Sequence, residues 1–313
     1  MKILITGGTG FAGSHLVEYL QQHSEAEIHV TSFRDKAGFV ADLIGEERVH
    51  PIDLTDFAAT QKLIQELRPD QIYHLAAYAN VASSFDKTKE LIQSHITLQM
   101  NLLEAVHEFV PHCRILSVGS ALAYQSQDFP VSETSILGPD NPYALAKVFQ
   151  DLLSSTLAKM QGLDIVRVRP FNHIGERQAP GFVVSDFAQN IVKIERAELS
   201  ELSVGNLNAI RDFSDVKDIV AAYALLMEKG GSGEVYNVGS GKGLSIQQIL
   251  QILKSFAKTE ISVKIDQAKL RPVDLKYLVC DNEKIRELGW QPQHPIEETL
   301  QRTLEWWREH LAS

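Results

Sequence analysis

Lys2-Ile3-Leu4-Ile5-Thr6-Gly7-Gly8-Thr9-Gly10-Phe11-Ala12-Gly13 is the stretch whose reading decides the fold. Lys2 to Thr6 has the length and apolar character of a buried strand, and from Phe11 to Leu20 the apolar residues Phe11, Leu16, Val17 and Leu20 fall close to helical spacing. Glycines stand at 7, 10 and 13, between the two. Glycine there permits positive φ and lets backbone approach a pyrophosphate, while the helix start offers unpaired N–H groups and partial positive charge. Three glycines alone would indicate only a tight turn; placed between strand and helix they predict a dinucleotide site.

The alternation continues outward from that unit. Ile28 to Phe33 reads as strand, Thr55 to Leu67 as a Thr-capped helix, Gln71 to Ala76 as strand, and Lys89 to Val106 as helix. Arg114 to Val118 reads as strand, Pro142 to Lys159 as helix and Asp164 to Arg169 as strand. Strands separated by helices of this length need crossover connections, which predicts a parallel, doubly wound α/β sheet over residues 1–170. After Pro170 the rhythm becomes irregular: a helix near Phe187 to Glu195, short strands around Leu202 and Val235, a Ser245/Gln248 capping box opening a helix to about Phe256, and a closing helix from Pro295 to Leu311. No tether separates the halves, so residues 171–313 are expected to form a smaller region interleaved with the first.

Bulk composition narrows the function. In 313 residues, 44% are hydrophobic and 22% charged, as in ordinary globular chains. The formal net charge of −10 argues against a nucleic-acid surface. The N-terminus turns polar and glycine-rich too soon for a secretory signal, and no segment reaches about 18 uninterrupted apolar residues, so a cytoplasmic location without membrane contact is expected. The two cysteines, Cys113 and Cys280, have no metal-type or redox-type spacing and read as buried, inert thiols; no metal is expected. Trp290, Trp306 and Trp307 read as packing for the closing helix.

The end of the second strand reads Thr31-Ser32-Phe33-Arg34. A carboxylate there would accept from a ribose 2′-hydroxyl and repel a 2′-phosphate; Ser32 can donate to that phosphate and Arg34 can pair with it, which favours NADP(H) over NAD(H). The competing reading makes Arg34 a solvated surface charge after the strand. Asp53 and Leu54 follow a probable third strand and could hold the adenine edge, or Asp53 could serve a turn. Tyr143 and Lys147 are one helical turn apart on the same face. A nearby ammonium could lower the phenol's pKa; a fall of about 3 units needs roughly 4 kcal/mol of differential interaction. Ser120 follows the strand ending at Val118, at the carboxyl edge of the sheet, where a hydroxyl can bond a substrate carbonyl. Together with the glycine loop, Ser120, Tyr143 and Lys147 make a hydride-transfer constellation.

At these residues the chain resembles an extended short-chain dehydrogenase/reductase of the nucleotide-sugar-modifying branch, with a Rossmann-type sheet. The matching pieces are GGTGFAG at 7–13, HLAA at 74–77, VGSALAY at 118–124, PYALAK at 142–147, RPFNHIG at 169–175, VGNLNAIRDFSDV at 204–216 and RPVD at 271–274. The last three are especially similar to the group of GDP-mannose 4,6-dehydratases and GDP-4-keto-6-deoxymannose reductases, which implies a GDP-sugar substrate. The resemblance implies cofactor contacts from Gly7, Thr9, Gly10, Phe11, Ala12, Gly13, Leu75, Ala76, Ala77, Tyr143, Lys147 and His173. It implies substrate contacts from Ser120, Asn172, Lys193, Arg211 and Arg271, with the two arginines as the diphosphate's main partners.

Dehydratases need a carboxylate base beside the catalytic hydroxyl residue, whereas Ser120 is followed by Ala121 and Leu122. That departure points to simple hydride transfer, and the resemblance then implies reduction of GDP-4-dehydro-6-deoxy-D-mannose to GDP-D-rhamnose with NADPH. A nucleotide-sugar 4-epimerase with retained NAD, or a non-catalytic NADP-binding sensor, are the competing readings. His95 stands where relatives carry Asn, and Gln125 where Gly is usual. Apolar residues on more than one face of the helices at about 89–106 and 142–159, among them Leu98, Leu102, Leu103, Leu152 and Leu153, suggest a homodimer through a helix bundle; packing within one subunit explains them too.

Overall fold

The computed structural model describes residues 1–33, 38–77, 88–270 and 275–311. Arg34 and the RPVD stretch containing Arg271 therefore lie outside the described residues.

In chain order the first half contains β1 (Lys2–Thr6), α1 (Phe11–His23), β2 (Glu27–Ser32), α2 (Gly38–Ile44), β3 (Val49–Pro51), α3 (Phe57–Leu67), β4 (Gln71–His74), α4 (Thr88–Phe109), β5 (Arg114–Val118), α5 (Pro142–Gln161) and β6 (Ile165–Pro170). The second half contains β7 (Asn172–Ile174), α6 (Val183–Glu195), β8 (Leu202–Val204), β9 (Ile210–Asp215), α7 (Val216–Lys229), β10 (Val235–Val238), β11 (Gly243–Ser245), α8 (Ile246–Ser255), β12 (Val263–Ile265), β13 (Tyr277–Leu278), α9 (Glu283–Glu287) and α10 (Ile296–His310).

Seven strands form one sheet in the order β10-β6-β5-β4-β1-β2-β3, all neighbours parallel. This is a Rossmann-type doubly wound sheet. Its order reverses at β1, which sits between β2 and β4, and such a reversal opens a crevice beyond the carboxyl ends of the strands. The edge strand β10 comes from the second half of the chain, so the halves share a sheet. A smaller sheet runs β11-β9-β13, with β7 also on β9, and β12 pairs with β8.

Local chemistry explains the element ends. Asn141 caps α5 by accepting from the Ala144 N–H at 2.9 Å, Pro142 begins the helix, and Gly162 ends it at φ 69°. The Ser245/Gln248 box opens α8 as expected. The third helix departs from the expectation. Asp56 is its cap, accepting from the Ala59 N–H at 3.1 Å, while the Thr55 N–H and hydroxyl both donate to Asp53 Oδ1. Thus Thr55 belongs to the preceding turn. β4 ends at His74 rather than Ala76, because Leu75, Ala76 and Ala77 leave the sheet for the crevice.

One apolar layer packs α1, α2 and α7 on the sheet, and another packs α3, α4 and α5 on its opposite face. A third cluster joins α6, α8 and α10, with Trp307 in it, while Trp290 belongs to the first layer. Trp306 stands edge-on to Trp307 and stacks on His310, so all three tryptophans serve packing. Leu98, Leu102 and Leu103 are buried in the subunit, whereas Leu145, Phe149 and Leu152 on α5 and Met100 on α4 are exposed. Cys113 and Cys280 are buried free thiols whose pKa values burial pushes up. No helix among the described residues is long and apolar enough to cross a membrane.

Candidate active site

A cavity of about 1170 Å³ lies beyond the carboxyl edge of the large sheet, between it and the second half of the chain. At its floor, Gly7 has φ 68° and its carbonyl accepts from the Gly10 N–H at 3.0 Å. Gly10 precedes α1 without any side-chain cap, which leaves first-turn N–H groups available to an anion. A Cβ on Gly13 would lie 2.3 Å from the Gly7 carbonyl oxygen and 2.7 Å from Gly8 Cα. The loop's closeness therefore depends on glycine, and a pyrophosphate fits it. Gly13→Ala is expected to weaken dinucleotide binding by at least about tenfold, or 1.4 kcal/mol, in a fluorescence titration; unchanged affinity would exclude the loop as the phosphate cradle.

Thr9, Phe11, Ala12, Asp53, Leu54, Leu75, Ala76 and Ala77 line the same cavity with Gly7, Gly10 and Gly13. Asp53 closes the Thr55 turn and also lines the cavity. Ser32 is different. It is buried, the Thr9 hydroxyl donates to its Oγ at 3.4 Å, and its strand neighbours Thr31 and Phe33 take the lining positions instead. The alternation of side chains along β2 puts Ser32 on the inner side.

Ser120, Tyr143 and Lys147 meet at one end of the cavity. Ser120 begins the 3-10 turn Ala121–Ala123, its Oγ accepting from the Leu122 N–H at 3.2 Å. The Lys147 ammonium is buried by its position on the inner face of α5 and donates to the Val118 carbonyl at 2.9 Å. Burial brings its pKa down to about 7. The phenol of Tyr143 goes the other way: burial pushes it up to about 12, with the Ser120 hydroxyl pulling down. Desolvation of the phenolate outweighs the pull of the Ser120 hydroxyl, so the phenol stands above its ordinary value and not below it. His95, fully buried on α4, stands edge-on to the Tyr143 ring with centroids 5.9 Å apart, and its Nδ1 is 3.3 Å from Gln150 Oε1. Gln125 lies in the strap of chain that returns past Ser120, its N–H donating to the Ile136 carbonyl.

His173 lines the cavity, stacks parallel on Phe11 at 5.8 Å and donates from Nδ1 to the Phe171 carbonyl at 3.0 Å. Burial lowers its pKa, so it is a neutral packing group over the glycine loop. Asn172 is beside it in the lining. Arg211 enters from β9, its Nη1 donating to the Ile210 carbonyl. Lys193 is not brought in: its ammonium donates to Gln189 Oε1 at 3.4 Å, one turn beyond Asn190, the last α6 residue of the lining. Lys269 supplies a cation in the lining that the sequence reading missed, along with Asp140, Asn190 and Asn206. Beside Ser120, Ala121 and Leu122 present only apolar surface. Among the described residues there is no cluster of metal-binding side chains.

Comparison with known proteins places this geometry. The chain is 28% identical to a GDP-6-deoxy-D-mannose reductase of Pseudomonas aeruginosa over 99% of its own length and 98% of the relative's. It superposes on the structure of RMD from Pseudomonas aeruginosa complexed with NADPH with a TM-score of 0.86 at 27% identity, covering 98% of this chain and 99% of the other. It superposes equally on a UDP-glucose 4-epimerase of Thermotoga maritima with UDP-glucose, with a TM-score of 0.88 at 29% identity and 100% of both chains covered. The family model described as GDP-mannose 4,6 dehydratase matches residues 4–303. With that match spanning nearly the whole sheet and cavity, the chain belongs to the GDP-mannose 4,6 dehydratase family, within the extended short-chain dehydrogenases/reductases.

Proposed function

We propose that the protein reduces the C4 ketone of a GDP-4-dehydro-6-deoxyhexose with NADPH, converting GDP-4-dehydro-6-deoxy-D-mannose to GDP-D-rhamnose. The observation that carries this reading is the convergence of Ser120, Tyr143 and Lys147 in one cavity in which the residues that follow Ser120, Ala121 and Leu122, offer no base for elimination. The reductase relative and the NADPH-bound neighbour support it. The absence of a carboxylate at Thr31, Ser32 and Phe33 supports NADP(H), with Arg34 as the phosphate's partner.

The bound dinucleotide would supply the hydride. Ser120 donates a hydrogen bond to the ketone oxygen, an interaction that strengthens as negative charge develops. Tyr143, with its pKa near 12, is a fully protonated phenol at neutral pH and delivers its proton to that oxygen. Lys147, one helical turn from Tyr143, would hold the nicotinamide ribose. Arg211 and Arg271 take the diphosphate, Asn172 bonds the sugar or diphosphate, and Lys193 retains no part. Residues 1–170 serve the dinucleotide, and residues 171–313 mainly the sugar nucleotide.

The epimerase reading rests on the equal likeness to the UDP-glucose 4-epimerase. NADPH oxidation on mixing with GDP-4-dehydro-6-deoxy-D-mannose, with the product's C4 configuration read by NMR, decides between them. Stoichiometric oxidation yielding GDP-rhamnose supports reduction; interconversion of UDP-sugars without net oxidation supports epimerisation.

The exposed apolar stripe Leu145, Phe149 and Leu152, spaced i, i+4 and i+7 along α5, is the surface on which a homodimeric helix bundle would close. Leu152→Glu is expected to give monomers in analytical ultracentrifugation at micromolar concentration. A wild-type chain that sediments as a monomer removes the proposal.

A further inference from the structure

A buried polar network lies beneath the catalytic end of the cavity and is used by none of the chemistry above. Asp151 on α5 accepts from Arg169 Nη2 at 2.5 Å and from Arg167 Nη1 at 3.2 Å. Arg169 also donates from Nη1 to the Tyr124 hydroxyl at 2.7 Å, and that hydroxyl donates onward to Asn237 Oδ1 on β10 at 2.7 Å. Asn237 in turn donates to the Val131 carbonyl from Nδ2, and from its backbone to Glu133 Oε1. Tyr124, Arg169, Asp151 and Asn237 are all buried.

The network's ends stand on the two elements that carry the reacting groups. Tyr124 closes the 3-10 turn that Ser120 begins, its N–H donating to the Ala121 carbonyl. Asp151 is one turn beyond Lys147 and two beyond Tyr143 on the same helix. One ketone oxygen must meet both the Ser120 hydroxyl and the Tyr143 phenol, so the offset between turn and helix decides whether both reach it. Charged groups paired out of water move only at high energetic cost, which makes this bridge stiff.

We propose that Tyr124, Arg169 and Asp151 are positioning residues that fix the Ser120-bearing turn against the Tyr143-bearing helix. The inference rests on the functional reading above, in which both groups address one ketone. Tyr124→Phe is the test because it keeps the ring beneath the Arg169 guanidinium, 4.9 Å from the centroid, and removes only the hydroxyl between Arg169 and Asn237. Removing a charge, as in Arg169→Met, risks unfolding the chain.

The first readout is the 13Cζ resonance of Tyr143 in tyrosine-labelled protein, assigned by its loss in Tyr143→Phe, with Ser120→Ala giving the displacement caused by losing the serine. Tyr124→Phe is expected to move it in the same direction as Ser120→Ala. The second is NADPH oxidation, where kcat is expected to fall about tenfold with KM unchanged, the scale of a small misplacement of reacting groups. A Tyr143 resonance that stays at its wild-type position overturns the proposal whatever the activity. If the wild-type protein reduces no keto sugar, the functional reading fails while the resonance still decides the positioning role.

Discussion

Tyr143→Phe is expected to lower kcat for keto-sugar reduction by about 10²–10⁴, the range associated with a positioned proton donor, while the dinucleotide still binds. In the proposed reaction the Tyr143 phenol gives its proton to the ketone oxygen, and its pKa near 12 keeps it protonated through the neutral range. Phenylalanine preserves the ring, its edge contact with His95 and the helix that carries it. Ser120 remains able to polarise the ketone, so residual turnover comes from polarisation and orientation alone. Stopped-flow NADPH oxidation and calorimetric titration of NADPH measure the two quantities separately. Turnover near the wild-type rate would remove Tyr143 as the donor.

Lys147→Met is expected to abolish turnover and yet stabilise the fold. In the unfolded chain this lysine holds its proton up to about pH 10.4, whereas burial brings the folded value down to about 7. Between those values the unfolded state binds more protons, so wild-type stability rises with pH across that window. Below about pH 7 both states are charged, and the full penalty, on the order of 3–5 kcal/mol, is present. Methionine removes the charge at similar volume and forfeits one hydrogen bond to Val118, worth about 1 kcal/mol. Thermal melts should therefore show the variant more stable at about pH 6, with the difference shrinking towards pH 10. A difference constant over that range would mean that packing, and not charge burial, separates the two proteins.

Most of the large sheet was legible because its signals are local. β1 and β5 lie at the residues read as strands, and the capping box at Ser245 opens a helix where it should. α6 begins at Val183, earlier than its reading near Phe187, because Phe182 offers no capping side chain to mark the start. The small strands β7, β9, β11 and β13 carried no alternation long enough to detect; their pairing is decided by residues far apart in sequence, such as Asn172 with Phe213. Motif and spacing point to Ser120, Tyr143 and Lys147, which the structure gathers on one cavity. Their protonation does not follow from either, since the depth of burial that drives Tyr143 up and Lys147 down is a property of the assembled core. Lys193 and Lys269 show the same limit: nothing in the sequence tells the lysine outside the cavity from the one that lines it.

The edge position of β10 has a consequence for biosynthesis. Residues 1–170 leave the ribosome with six strands, and the outer edge of β6 then offers unpaired backbone groups flanked by Val166 and Val168 until Val235–Val238 arrives. An open edge of that kind invites pairing with other chains. The interval is long, because β7 to α7 must be made first. Translation stalled between residues 170 and 235 would hold the nascent chain in its most association-prone form, and release of the Val235–Val238 segment would end it.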